Sequence, residues 1–130
     1  MKYFILLFVL CIFSSEAFSQ AEYVTEYDVP YSSKTDDYSL ERLKLDIHHS
    51  VSGRELPIIV WFHGGGLTSG EKSIPGELMN QGYVVIAPNY RLIPDVSVNE
   101  CIDDAAEAVA WVLDNGEKYG GDPNKVFYGN

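Results

Sequence analysis

Two short segments that are apolar at every position constrain the fold of this chain more than any other feature. Residues 58–62 read IIVWF and residues 83–87 read YVVIA. Strands that are apolar on both faces are typical of parallel sheets covered by helices on both sides. We therefore predict that both segments are buried strands of such a sheet, the second one stopped by Pro88.

Further strands are predicted before and after this pair. Residues 23–29 alternate moderately and indicate an edge strand, whereas residues 43–48 alternate clearly between apolar and polar side chains and indicate a half-buried strand. Residues 126–128 begin a last buried strand. With helices between the buried strands, the order along the chain predicts an α/β fold: a mostly parallel sheet with helices on both faces.

The clearest helix signal starts at Ser97, which stands three residues before Glu100. This spacing is a capping box, in which each side chain satisfies a free backbone N–H at the start of a helix. The helix is predicted to run to about Lys118. Its apolar stripe has helical spacing and consists of Ile102, Ala105, Ala106, Val109 and Leu113.

Shorter elements are predicted from turn residues and local composition. Residues 77–81 indicate a short helix that ends at Gly82. Residues 32–39 and 51–57 are polar turns, and residues 122–124 read DPN, a type I turn with proline at its favoured second position.

The first 19 residues have the layout of a secretory signal peptide. A short positive start precedes an apolar run over residues 3–13, and small residues follow, so cleavage is predicted after Ala17 or Ser19. The run is too short for a transmembrane helix, which needs roughly 20 apolar residues. An uncleaved interfacial anchor is the alternative. We expect a secreted or periplasmic protein whose mature domain covers residues 20–130.

Charge and cysteine content limit the partners and the covalent stabilisation of the mature chain. The net charge of −10 at pH 7 repels nucleic acids and anionic lipids, so we expect no nucleic-acid partner and no stable membrane association after signal cleavage. Without the signal peptide, Cys101 is the only cysteine, so no internal disulfide can form.

Residues 62–66 read FHGGG and follow the first buried strand directly, which suggests a site where backbone N–H groups bind an anion. A phosphate site would require G-x-x-x-x-G-K-[ST], but Glu71 is inserted before Lys72, and Pro75 and Gly76 interrupt the helix that should follow. A bound nucleotide is therefore not expected.

Two other interpretations of the glycines remain open. Backbone N–H groups without neighbouring side chains can stabilise the oxyanion of an ester under attack. Alternatively, the chain needs positive φ angles for a tight turn out of the strand, although one glycine would be enough for that. The position at the carboxyl end of a buried strand favours a functional site.

The remaining polar candidates favour ordinary structural roles. His48 and His49 lie on opposite faces of a predicted strand, so they cannot jointly bind a metal, and at least one should be exposed. Ser69 and Ser73 have no identifiable base and are interpreted as surface hydroxyls. The acidic cluster of the long helix should interact with the helix dipole and form a solvated face; it consists of Asp103, Asp104 and Glu107. We expect no metal and no cofactor.

Four segments occur together in a specific order: FHGGG, GYVVIAPNYRL, DDAAEAVAWVLDN and YGGDPNKVFYGN. From about residue 43 to residue 130, the chain resembles the amino-terminal half of an α/β-hydrolase. It is most similar to the HGGG-type carboxylesterases and lipases, including the group of feruloyl and acetyl xylan esterases. The resemblance implies that the N–H groups of Gly65 and Gly66 form the oxyanion hole and that His63 shapes the loop rather than acting as a base. It also implies that Arg91, after Tyr90, braces the loop without being catalytic.

In the same family the nucleophilic serine lies in G-x-S-x-G after the fifth strand. Gly129 and Asn130 match the first two positions, so the resemblance implies that the serine comes directly after Asn130 and that the catalytic acid and histidine are absent from this chain. We therefore expect an α/β-hydrolase domain truncated after its fifth strand and inactive as given. The complete enzyme would be an exported serine ester hydrolase that forms an acyl-serine intermediate on a small-molecule or polysaccharide-linked ester.

The alternative is a non-catalytic binding or interaction module, or a degenerate truncated product. It is disfavoured because a sheet that ends at the fifth strand exposes an unpaired, hydrophobic edge.

Overall fold

The computed structural model describes residues 20–130; the predicted signal peptide over residues 1–19 lies outside the described residues. Within residues 20–130, five strands, two helices and two 3-10 turns follow one another: β1 (Tyr23–Pro30), α1 (Asp37–Arg42), β2 (Lys44–Ser50), β3 (Leu56–Trp61), a 3-10 turn (Gly76–Leu78), β4 (Val84–Pro88), α2 (Val98–Asn115), a 3-10 turn (Gly116–Tyr119) and β5 (Gly121–Gly129).

The strands form one sheet with the spatial order β1-β2-β4-β3-β5. Strand β2 is antiparallel to both of its neighbours, whereas β3 is parallel to β4 and to β5. Four of the five strands therefore run in the same direction, which confirms the predicted mostly parallel sheet and the edge position of the first strand.

The main core lies between the sheet and α2. Its fully buried members include Leu45 and Ile47 of β2, Ile58 and Val60 of β3, and Val112 of α2. Strand β4 is buried at every position, as predicted. Strand β3 is covered less completely than expected, because Ile59 and Trp61 on its other face border an open apolar groove of about 420 Å³.

Helix α2 begins with the predicted capping box: the Ser97 hydroxyl accepts from Glu100 N, and the Glu100 carboxylate accepts from Ser97 N. The stripe predicted from apolar spacing is not the most deeply buried face of the helix. Ile102 and Leu113 are 58% and 45% exposed, and the buried positions are instead Cys101, Asp104, Ala108 and Val112. The physical reason is that Asp104 turns inward to an arginine, which rotates the apolar stripe of the helix away from the sheet.

Several shorter elements also differ from the predictions. The segment over residues 32–39 was expected to be a turn, but α1 begins within it, because the Asp36 side chain caps the helix by accepting from Ser39 N at 2.9 Å. The short helix over residues 77–81 is only a 3-10 turn, Gly76–Leu78.

The predicted DPN turn is a bulge inside β5. Leu56 of β3 pairs with Gly121, whereas Ile58, two residues later, pairs with Val126, five residues later on β5. The extra residues loop out, and Asn124 N donates to Asp122 Oδ1 at 2.9 Å.

Strand β2 is more deeply buried than the predicted half-buried strand, because its polar residues Asp46 and His48 are buried as well. Among residues 20–130, no helix has both the length and the apolar character needed to cross a bilayer.

Candidate active site

Residues 63–70, which we call the glycine loop, leave the sheet at the carboxyl end of β3. The loop lies beside the ends of β4 and β5, and Phe62 N donates to Gly129 O at 2.9 Å. A pocket of about 210 Å³ opens next to it. The pocket is lined mainly by apolar side chains from the loop, from the end of β4 and from the start of α2, and it also touches Asn130; its lining includes Phe62, Leu67, Tyr90 and Ile102.

Gly65 and Gly66 form the turn at the tip of this loop. Their φ angles are +125° and +62°, which L side chains rarely adopt, and a Cβ atom on Gly65 would lie 2.1 Å from the Ser69 carbonyl oxygen. The turn alone therefore requires glycine, so the simple strand-exit interpretation accounts for part of the sequence.

The hydrogen bonds of the turn leave the two amides available. Gly65 O accepts from Thr68 N and Ser69 N, both at 3.2 Å, so this carbonyl is used within the loop. Among the hydrogen bonds of residues 20–130, none uses the N–H of Gly65 or of Gly66, and both residues are exposed. The turn thus leaves two backbone donors without a protein acceptor among the described residues.

His63 lies under the loop and is 8% exposed. Its Nδ1 lies 2.9 Å from Gly64 O, and because a carbonyl oxygen only accepts, Nδ1 is assigned the proton. The ring stacks on Tyr90, with centroids 4.4 Å apart, and Tyr90 Oη donates to His63 O at 2.9 Å. These contacts hold the His63 ring against the residue that follows β4 by two positions.

Glu71 and Lys72, which argue against a phosphate site, are both engaged elsewhere. Glu71 pairs with Arg42 at 2.7 Å and accepts from Asn89 Nδ2, while Lys72 Nζ lies 2.6 Å from Asp46. Burial raises the pKa of Glu71, but the Asn89 hydrogen bond and the Arg42 charge outweigh it and hold the pKa below its ordinary value. Lys72 is thus paired with the Asp46 carboxylate of β2.

Lys72 also contacts Asp28 at 2.9 Å. Burial lowers the pKa of the Lys72 ammonium, but Asp46 and Asp28 outweigh it and raise the pKa. A charged, paired lysine of this kind holds the chain after the loop on β1 and β2.

Arg91 and Asp104 form the most deeply buried ion pair among the described residues. Arg91 Nε and Nη2 donate to the two carboxylate oxygens at 2.8 and 2.9 Å, and Arg91 N adds a bond at 3.2 Å. The hydrogen bond to Asp104 raises the pKa of Arg91. The predicted solvated role of Asp104 is wrong, because this residue is completely buried. The pair ties the end of β4 to α2, in agreement with the bracing role implied for Arg91.

The other acidic candidates remain nearer the surface. Asp103 is exposed, and Glu107 is partly exposed and paired with Lys34 at 2.5 Å. Ser69 and Ser73 are exposed, as predicted for surface hydroxyls, and Ser69 Oγ donates to Gly65 O at 3.2 Å. None of these side chains forms a catalytic arrangement with His63.

The expectation that His48 or His49 is exposed is wrong. His48 is 3% exposed and lies between Thr25 Oγ1 at 2.8 Å and Asn80 Oδ1 at 3.1 Å. The His49 side chain is 13% exposed and lies 3.3 Å from Glu26. Across residues 20–130, no group of three or more histidine, cysteine or acidic side chains could hold a metal ion.

Two parts of the site were not found from the sequence. Arg42, at the end of α1, contacts the loop, and Asn89, after β4, donates to Glu71 and accepts from Lys72 N at 2.6 Å. Asn89 follows a buried strand, a position that could have marked it. Arg42 lies far from the glycines in sequence, in a segment without a strong helix signal, and no local pattern identifies it.

The strand order with a reversed second strand, together with a glycine loop directly after β3, defines an α/β-hydrolase. Comparison with known proteins agrees. The chain belongs to the BD-FAE family of α/β-hydrolase carboxylesterases, whose family model matches residues 45–129.

Individual relatives are esterases and hydrolases. The chain is 35% identical to phenmedipham hydrolase of Pseudarthrobacter oxydans, over 59% of this chain and 18% of that protein. It is 32% identical to carboxylesterase NlhH of Mycobacterium tuberculosis, over 55% of this chain and 24% of that protein. The structure resembles esterase B of Lactobacillus rhamnosis, with a TM-score of 0.71 and 26% identity over 82% of this chain and 36% of that one. The chain thus spans about a fifth of the length of these curated relatives.

Proposed function

We propose that this chain supplies the oxyanion-hole half of the active site of an exported serine carboxylic ester hydrolase. The observation that carries the proposal is the pair of exposed Gly65 and Gly66 amides, which bind no protein acceptor within residues 20–130. They lie at the carboxyl end of β3, beside the end of β5, where open α/β sheets place their sites.

In the proposed reaction, a serine directly after Asn130 gives its proton to the base of the triad, attacks the ester carbonyl and forms a tetrahedral intermediate. The intermediate collapses to an acyl-serine as the bond to the alcohol oxygen breaks and the alcohol leaves with that proton. Water then attacks the acyl-serine, which releases the acid and restores the serine hydroxyl. The negative charge develops on the carbonyl oxygen, and the Gly65 and Gly66 N–H groups donate to it. One donor of this kind lowers the barrier by roughly 2.7–4 kcal/mol. His63 keeps the loop in shape and transfers no proton, since the acid and the base of the triad come from sequence beyond this chain.

The proposed substrates are small-molecule or polysaccharide-linked esters, and the proposed location is outside the cytoplasm, after removal of residues 1–19. The names of the relatives, a carboxylesterase and a hydrolase, support ester chemistry. The apolar lining of the pocket beside the glycine loop supports a substrate with an uncharged acyl or alcohol group.

Hydrolysis of p-nitrophenyl acetate tests the proposal. We expect the 130-residue chain to be inactive, because it provides an oxyanion hole without a nucleophile. Extending the open reading frame past Asn130 should reveal Ser-x-Gly, and the extended protein should hydrolyse the ester. A serine-directed phosphonate, or replacement of that serine by alanine, should abolish the activity.

Two results would overturn the proposal. Phosphonate-sensitive hydrolysis by the 130-residue chain would place the nucleophile within it. A stop codon directly after Asn130, together with a soluble and cooperatively unfolding chain, would instead support the non-catalytic module.

A further inference from the structure

Arg42, the last residue of α1, is a buried cation with three engaged nitrogen atoms. The residue is 7% exposed. Its Nε donates to Tyr90 O at 3.1 Å, its Nη2 to Gly70 O at 3.1 Å, and its Nη1 to Glu71 Oε2 at 2.7 Å. Two of the three acceptors are therefore backbone carbonyls that belong to different loops.

Both of these loops pack against His63. A Cβ atom on Gly70 would lie 2.2 Å from His63 Nδ1 and 2.3 Å from Gly64 O, so the end of the glycine loop closes directly on its beginning. Tyr90 covers the His63 ring and donates to its carbonyl. Because the Arg42 guanidinium donates to the carbonyls of both Gly70 and Tyr90, it holds in place the two residues that contact His63.

The Glu71 contact is separate from this bridge. The Glu71 side chain is 66% exposed, and it balances the charge of Arg42 at the surface. Neither backbone carbonyl that accepts from Arg42 belongs to Glu71, so we expect both bonds to persist when its charge is removed. The two functions of Arg42, charge pairing and loop bridging, can therefore be tested by different substitutions.

We propose that Arg42 is a positioning residue for the oxyanion hole: by bridging Gly70 O and Tyr90 O, it holds the glycine loop in the conformation that presents the Gly65 and Gly66 amides. The proposal rests on the proposed function of these amides. Arg42 touches no reacting atom and acts only through the loop.

Amide hydrogen exchange, measured by mass spectrometry on the purified 130-residue protein, tests this role without requiring hydrolysis. A lysine ammonium cannot reproduce the planar fork that reaches two carbonyls and a carboxylate. We therefore expect Arg42→Lys to speed exchange of the hydrogen-bonded amides in residues 63–72 by about tenfold, with little change in β4 and in α2. These amides belong to Thr68, Ser69 and Lys72. The matched control, Glu71→Gln, keeps the bridge and should change the same peptides by less than about threefold.

Chemical rescue distinguishes positioning from general stabilisation. Arg42→Ala opens a buried space of guanidinium shape, so ethylguanidinium at low millimolar concentration should restore slow exchange in residues 63–72, whereas ethylammonium should not. Equal acceleration in the loop, β4 and α2 would make Arg42 a global stabiliser and would overturn the proposal. Unchanged exchange in the loop would do the same.

A measurement on the unmodified protein tests the bridge without requiring that any variant folds. In NMR spectra, the Arg42 Nε proton should exchange with water much more slowly than that of the exposed Arg54, whose Nη1 donates to its neighbour Gly53 O. Equal exchange rates would exclude the bridge. Failure of the ester hydrolysis assay would leave all of these outcomes unaffected, so the two proposals can fail separately.

Discussion

The imidazole of His63 lies parallel to the phenol ring of Tyr90, with centroids 4.4 Å apart and 6° between the planes, and the Tyr90 hydroxyl donates to the His63 carbonyl oxygen at 2.9 Å. The two residues follow different strands, β3 and β4. Their contact therefore fixes the start of the glycine loop against the end of β4. It consists of ring stacking and one hydrogen bond.

Two substitutions of Tyr90 should separate the contributions of the hydrogen bond and of ring stacking to the free energy of unfolding. Tyr90→Phe keeps the ring but leaves the buried His63 carbonyl without its donor, so we expect a loss of about 1 kcal/mol of unfolding free energy. Tyr90→Ala also removes the ring and should cost about 3–5 kcal/mol. Urea unfolding measures both, with Tyr27→Phe as the control because Tyr27 is 69% exposed. Equal losses for the phenylalanine and alanine variants would contradict a role for stacking.

Asp104→Asn should be among the most damaging single-atom changes in the described part of the chain. The substitution removes the bidentate partner of the Arg91 guanidinium, whose side chain is 9% exposed, and leaves the more distant Glu100 carboxylate at 3.9 Å. Breaking a buried pair in this way costs about 3–5 kcal/mol. The matched control is Asp103→Asn, which alters an exposed neighbour on the same helix and should change stability by less than about 0.5 kcal/mol. Similar urea midpoints for the two variants would show that the pair contributes little.

Alanine substitutions at consecutive glycines should differ in a defined order. Gly65→Ala places a Cβ atom 2.1 Å from Ser69 O at a positive φ, so it should cost about 2–3 kcal/mol. Gly66→Ala meets no atom within 4 Å and carries only the cost of a positive φ, about 1–2 kcal/mol. Gly64→Ala has open space and should be nearly neutral. Thermal unfolding gives the order, and a larger loss at Gly64 than at Gly65 would contradict the loop geometry.

Stability should depend on pH through Glu71, whose pKa is below its ordinary value of 4.5 in the folded protein. The folded state binds its proton less readily than the unfolded chain does, so the stabilisation is complete above pH 4.5 and is lost as the pH falls through the folded pKa. At pH 7, Glu71→Gln should therefore lower the free energy of unfolding, by less than about 1 kcal/mol because the side chain is largely exposed.

The same comparison at pH 3 provides the check. Since pH 3 lies below the ordinary pKa of 4.5, part of the stabilisation by the Glu71 carboxylate is lost there, so the urea midpoints of the Glu71→Gln variant and the unmodified protein should lie closer together than at pH 7. A difference that grows on acidification would assign the pH dependence to other carboxyl groups.

The central strands and the start of α2 could be predicted from the sequence because their signals are local. Apolar residues on both faces identify β3 and β4, and the Ser97 and Glu100 side chains mark the helix start within one turn. The three consecutive glycines after β3 likewise predict the glycine loop. Each of these signals lies within a short stretch of the sequence.

Other features could not be predicted because distant residues decide them. The apolar spacing of α2 favoured a stripe containing Ile102 and Leu113, but the pairing of Asp104 with Arg91 turns a different face inward. His48 alternates like an exposed strand residue, yet Thr25 and Asn80 satisfy both of its ring nitrogens and allow its burial. Polar partners of this kind override hydrophobic patterning, and no single-sequence pattern contains them.

The buried Arg91–Asp104 pair also restricts how this part of the fold can diverge. Replacement of either residue alone removes the nearest partner of a buried charge and leaves it a longer contact, Glu100 for Arg91 or Lys34 for Asp104. Joint replacement by apolar side chains of similar volume is expected to be tolerated better. Selection therefore acts on the two positions as one unit, although 12 residues separate them in the chain. Homologues that have lost the arginine are expected to have lost the aspartate as well, and an aligned set of natural sequences should record this as covariation.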